Sequence, residues 1–168
     1  GFRAFVLSPC RRRDILFGKN LAHAPLTFGV CLLALTVLQV LQPMHSLHFL
    51  ATLLQMLISF LLCCLVGNIV SMLAPSAISA GSLKPAKAKI STIVIHIIVV
   101  MSSPVMLLPG FLGLGGELLL DAFAWPAWAG VASIPLYLLV SAIECVFVLW
   151  LYWRCLDGQG RWLQRREQ

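Results

Sequence analysis

Charge is what this chain has least of. Only 11% of its 168 residues are charged and 60% are hydrophobic. A soluble domain carries about 25% charged residues, so an ordinary water-soluble globular domain is excluded. No GxxxxGK[ST] loop occurs, which excludes Walker-type ATP binding by this chain. Neither GxSxG nor HExxH is present, so the commonest hydrolase signatures are missing. The six cysteines are Cys10, Cys31, Cys63, Cys64, Cys145 and Cys155. They have no CxxC metal-ligand spacing and read as small polarizable packing residues. There is no signal-peptide pattern at the start, and the chain reads as the C-terminal part of a longer protein. No metal site and no cofactor is expected in the chain itself.

What is present is apolar sequence in long blocks. Mean hydropathy is +0.95, and four segments near the length that a bilayer core demands of a helix stand out. They cover about 21–41, 48–73, 90–108 and 129–153. The expected fold is therefore an all-α, polytopic bundle of four spans.

The twelve Lys and Arg residues are not spread evenly over this frame. Five (Arg3, Arg11, Arg12, Arg13, Lys19) precede the first segment. Three (Lys84, Lys87, Lys89) lie between the second and third segments, and four (Arg154, Arg161, Arg165, Arg166) follow the fourth. The connections 42–47 and 109–128 hold none. By the positive-inside rule the prologue, the 74–89 loop and the tail are expected in the cytoplasm, and the other two connections outside. Residues 1–20 then form a cytoplasmic interfacial segment, 21–153 the transmembrane domain, and 154–168 a basic cytoplasmic tail.

Two connections have a character of their own. APSAISAGSLKPAKAK, residues 74–89, is rich in Pro, Gly, Ser and Lys and reads as an irregular loop near lipid headgroups. LPGFLGLGGELLLDAFAWPAW, residues 108–128, stays apolar while carrying Glu117, Asp121, Trp125 and Trp128. Its GELLLDAFAW stretch is too short to span and is expected as an outer interfacial or re-entrant helix. A kink is expected at Pro104, and Pro109-Gly110 is expected to end the third segment.

Several polar residues fall within the apolar segments. Glu144 and His96 lie at similar depth, about 14 Å and 10 Å from the basic side at 1.5 Å per residue. They are expected to be able to pair. An intramembrane carboxylate is costly and faces protein or water, so Glu144 reads either as a proton or substrate site or as one side of a helix–helix hydrogen bond. Ser59, Cys63, Gly67 and Ser71, each four apart, make a small-residue face suited to close helix packing, with Asn68 beside it. Whether that face is internal or between two copies is open. Gln39, Gln42 and Gln55 read as lining a path or bonding across the first hairpin.

The prologue is the most specific stretch. Phe2, Phe5, Val6 and Leu7 form an apolar side with Arg3 on another, and Ser8-Pro9 breaks the helix. Arg11, Arg12 and Arg13 follow, with Asp14 expected to open the next helical stretch. On residues alone this is a basic juxtamembrane anchor for acidic headgroups. A nucleic-acid role is not expected, because no reading fold accompanies the basic cluster.

FRAFVLSPCRRRDILFGKNL, residues 2–21, also resembles the cytoplasmic segment of type-2 ATP-binding-cassette exporter permeases. In that family a short helix ends in a Leu-Ser-Pro turn. Basic residues, an Ile-Leu pair and then Gly-Lys follow at the mouth of the next span. The matching residues are Leu7, Ser8, Pro9, Arg12, Arg13, Ile15, Leu16, Gly18 and Lys19. Cys10 stands where the family commonly has a small apolar residue. The resemblance implies that residues 2–9 are a coupling helix seated on a separate ATPase subunit, with Arg11–Arg13 meeting its acidic rim or lipid phosphates. It also implies that the four segments are the last four of six spans. ATP and Mg would belong to the partner, the chain would not itself be an enzyme, and two permease copies, identical or different, would form the path in a bacterial cytoplasmic membrane. The apolar spans lean towards a lipid-like or amphipathic cargo. The rival expectations are an ion- or proton-coupled carrier using Glu144 and His96, and a membrane scaffold without transport.

Overall fold

The computed structural model describes residues 10–73, 90–122 and 135–167. Among these every element is helical: α1 Arg12–Leu41, α2 Ser46–Leu73, α3 Ile90–Met106, α4 Leu108–Ala122 and α5 Leu136–Glu167. Phe2, Arg3, Phe5, Leu7, Ser8 and Pro9, together with the Lys84–Lys89 loop, Trp125 and Trp128, lie outside the described residues.

Three helices, α1, α2 and α5, are long and apolar enough to cross a membrane. This fits integration into a bilayer, as the composition requires. The third apolar segment behaves differently. Its helix α3 has 17 residues, about 26 Å at 1.5 Å per residue, a little short of a hydrocarbon core of about 30 Å.

The helices differ from the sequence reading mainly at their ends. α1 begins at Arg12, two residues ahead of the Asp14 start expected for the stretch that leads into the first span, so Arg12 and Arg13 form its first turn. Asp14 is a first-turn acid, a favourable position against the positive end of the helix. α5 does not stop at Trp153 but continues through the expected tail to Glu167. It can do so because its inward face keeps finding partners there: Leu156, Gln159 and Gly160 are all buried. The break between α3 and α4 falls at Leu107, not at Pro109-Gly110. The Leu107 N–H donates to the Pro104 carbonyl at 3.1 Å in a tightened last turn. Pro109 is then the second residue of α4, where its missing N–H costs nothing. α4 itself starts well before the expected 116–125 stretch.

α5 is the hub, packing most extensively on α2, then on α4 and α1. Its buried residues Ser141, Cys145, Val148, Tyr152, Leu156 and Gln159 recur at intervals of three or four, one helical stripe. On α2 the matching stripe is Ile58, Leu61, Leu65, Asn68 and Met72. The outward faces carry Ile143, Val146, Phe147 and Trp150, all exposed, as a lipid-facing surface requires. Since lipid is as apolar as leucine, burying such residues does little to hold helices together. Close packing and interhelical hydrogen bonds, each worth about 0.6 kcal/mol on average, set the register instead.

The two ends of the bundle are chemically distinct. The start of α1, the end of α2 and the end of α5 meet at a basic end, where Lys19 donates to Ser71 Oγ at 3.0 Å and Arg13 binds Asp157. The α1–α2 turn, α4 and the start of α5 meet at the other. Gln39 closes that turn by bonding both the N–H and the carbonyl of Met44. Arg11, Arg12, Arg13, Lys19 and Arg161 therefore share one end, and the α1–α2 turn, which has no Lys or Arg, lies at the other.

Candidate functional site at the basic end

Arg13 of the prologue is built into the bundle. Arg13 Nη1 donates to Asp157 Oδ1 at 2.8 Å. Its guanidinium also lies 4.8 Å from the centre of the Trp153 ring, which in turn stacks on Phe17 at 5.7 Å. A side chain held by a carboxylate on one side and an aromatic face on the other has little rotational freedom left. Gly160 makes this approach possible: a Cβ there would stand 3.0 Å from the Arg13 backbone nitrogen. Even an alanine there would require α5 and the first turn of α1 to move apart by a few tenths of an ångström.

Two turns beyond Arg13 along α1, Asn20 Nδ2 donates to Tyr152 Oη at 2.9 Å, with both residues buried. Across the α2–α5 seam, Asn68 Nδ2 donates to Gln159 Oε1 at 3.3 Å, and Gln159 Nε2 donates to the Leu65 carbonyl at 3.0 Å. Asn68 is almost fully buried, and its Oδ1 has no hydrogen-bond partner among the described residues. The basic end is thus cross-linked by polar side chains from three helices.

Between the start of α1 and the last turns of α5 lies an open cleft of about 500 Å³. Arg11, Arg12 and Arg13 line it from one side, and Asp157, Arg161 and Gln164 from the other. Its walls are mostly cationic.

Glu144, in the apolar part of α5, makes a helix–helix hydrogen bond. Glu144 Oε2 accepts a hydrogen bond of 2.8 Å from Gln55 Nε2, which also donates to Ser141 Oγ at 3.1 Å. Gln55 therefore reaches from α2 to α5 rather than across the first hairpin. Gly110 of α4 closes over the Gln55 amide. The His96 side chain lies outside the described residues. Among the described residues the small-residue face is largely open: Cys63, Gly67 and Ser71 are exposed, a Cβ at Gly67 would meet nothing within 4 Å, and Ser71 meets another helix through Lys19. The α2 surface turned to α5 is the larger-residue stripe beside it. Ser59 and Ser71 spend their hydroxyls on the carbonyls of Gln55 and Gly67 in their own helix.

At the opposite end is a cluster that the sequence reading did not assemble. Glu117 Oε1 lies 2.8 Å from His48 Nε2, and its Oε2 accepts from the Tyr137 N–H at 3.0 Å. Glu117 thereby caps the N-terminus of α5, satisfying one of its orphan donors. His48 meets the Tyr137 ring edge-on. Burial raises the Glu117 carboxyl, but the His48 and Tyr137 hydrogen bonds and the nearby charge of His48 and His45 outweigh it. The group ends below its usual 4.5. Among the described residues no group of three His, Cys, Asp or Glu side chains is arranged to hold a metal ion.

Comparisons with protein-family models, with curated proteins and with solved structures find no match to this chain.

Proposed function

We propose that this chain is the permease part of an ATP-driven exporter, with hydrolysis on a separate ATP-binding-cassette subunit. The observation that carries this reading is the joint between the basic triplet and α5. Arg13 is clamped by Asp157 and Trp153, and Gly160 abuts its backbone. A load applied to residues 2–9 is delivered through that joint to the first and last helices together, which is what a coupling handle needs. In this reading the bundle has four spans with both ends in the cytoplasm, in the cytoplasmic membrane of a bacterium. ATP and Mg reside on the partner, and a second permease copy completes the path.

The test is purification of the full-length protein from its native membranes in mild detergent, followed by mass spectrometry and an ATPase assay. A stoichiometric Walker-type ATPase, lost when Phe5→Asp and Arg12→Asp are introduced, is the expected result. A clean preparation without an ATPase overturns the reading.

One observation favours a second reading, a proton- or ion-coupled carrier: Glu144 is held inside the helical bundle by Gln55. Under that reading Glu144→Gln abolishes transport in reconstituted vesicles and no ATPase is needed. Under the exporter reading Glu144→Gln retains the acceptor for Gln55 and leaves transport near wild type, while Glu144→Leu loses the interhelical bond and costs about 0.6 to 1.7 kcal/mol of stability.

A further inference from the structure

We propose that the cleft between the start of α1 and the end of α5 binds the phosphate group of an anionic phospholipid. The inference goes beyond the exporter reading and does not depend on it. It requires only that the basic end lies at a membrane surface.

The first argument is charge. Four guanidinium groups, Arg11, Arg12, Arg13 and Arg161, line the cleft with one carboxylate, Asp157. Asp157 is committed to Arg13, and the cations that line the cleft outnumber its carboxylates. Asp14, the other acid in the first turn of α1, does not line it. The positive end of the α1 dipole adds in the same sense. Guanidinium groups are the side chains best suited to phosphate, because their paired N–H donors match its oxygens.

The second argument is depth. Trp153 stacks on Phe17 directly beneath Arg13, and tryptophan favours the membrane–water interface. Asp157 and Arg161 follow Trp153 by one and two turns, about 6 and 12 Å along α5. The headgroup layer adds roughly 5 to 8 Å to each side of the hydrocarbon core. The cleft therefore spans the headgroup layer and the water just beyond it, where a lipid phosphate sits while its tails stay beside the exposed apolar face of α5.

The third argument is shape. About 500 Å³ is within the range of small-molecule sites and exceeds what a bare phosphate needs, leaving room for a headgroup. The wall is also preorganised. Arg13 is fixed by its ion pair and ring contact, and Gly160 holds α5 close enough to α1 for both helices to face one ligand.

The test uses the full chain in nanodiscs of phosphatidylcholine with a graded share of phosphatidylglycerol, with native mass spectrometry to count retained lipids. One basic side chain near an anionic surface is worth roughly a factor of five in affinity, so three give on the order of a hundredfold. The wild type is expected to retain phosphatidylglycerol over phosphatidylcholine. Arg11→Gln, Arg12→Gln and Arg161→Gln together should abolish that preference, and the corresponding Lys substitutions should keep most of it. If the triple Gln variant does not fold, Arg161→Gln alone should still lower the preference about fivefold. Lys84→Gln, Lys87→Gln and Lys89→Gln remove the same charge from a loop read as lying near the headgroups, and should lower the preference less than the cleft variants do. An equal loss in that loop variant, or undiminished retention in the cleft variants, overturns the proposal. Displacement of the lipid by millimolar inorganic phosphate assigns the cleft to a soluble phosphate compound and overturns the lipid source.

Discussion

Gly110 stands so close to Gln55 that one carbon added at position 110 would lie 2.5 Å from the Gln55 amide carbon and nitrogen. A flexible glutamine would ordinarily swing aside. This one is tied to Ser141 and Glu144, so moving it breaks the link between α2 and α5.

Gly110→Ala is therefore expected to lower stability by about 1 to 3 kcal/mol, from overpacking and the lost interhelical bonds. Gly115, in the same helix, has open space where its Cβ would be, and Gly115→Ala should be neutral or stabilising by up to about 1 kcal/mol. Thermal unfolding of both variants in detergent checks the contrast. Adding Gln55→Ala to Gly110→Ala should recover part of the loss, and full additivity would show that the two positions do not interact.

Tyr152→Phe removes the acceptor for Asn20 in a site where both residues are buried. The expected cost is about 0.5 to 2 kcal/mol, since the Asn20 amide is left buried without that partner. Replacing Asn20 by Leu in the same chain should restore most of the loss, because two apolar groups need no hydrogen bond. Denaturant unfolding of the single and double variants separates this from a general packing defect.

Glu117 gives the stability a pH dependence of known sign. Its carboxyl lies below the ordinary 4.5 when folded. The unfolded state therefore binds the proton more tightly, and acid favours unfolding. The contribution is present above about pH 4.5 and is lost as pH falls through the folded value. Glu117→Gln, which has no such proton to take up, should show a flatter stability profile between pH 6 and pH 3. Circular dichroism melts across that range decide it, and parallel profiles would assign the acid sensitivity to other groups.

The residue pattern carried the larger features of the molecule. Long apolar blocks dictate helices because an unpaired backbone is too costly in lipid: the blocks 21–41 and 48–73 lie within α1 and α2, and the fourth block is helical from residue 136 onward in α5. Spacing did less well at the ends. The arginine triplet and the tail are polar, so hydropathy assigns them outside the bundle, yet Arg12, Arg13 and the tail to Glu167 are helical, and Arg13 packs on Asp157 and Gly160. The signal was present in Tyr152, Leu156, Gln159 and Leu163, which repeat on one face of α5 beyond the last apolar block.

What only the tertiary structure decided is which polar residue meets which. Depth along the helices did not single out Gln55 as a partner of Glu144; rotation about the axes set that hydrogen bond, and α4 approaches it at Gly110. The small-residue face of α2 was readable as a face but not as the face turned to α5. The Glu117–His48–Tyr137 cluster and the Arg13–Asp157 joint link residues 20 to 144 positions apart. A one-dimensional pattern records period and composition, so it determines helices, their length and their sides. The angle at which each helix faces its neighbour is set by close packing in three dimensions, and that angle chose the partners.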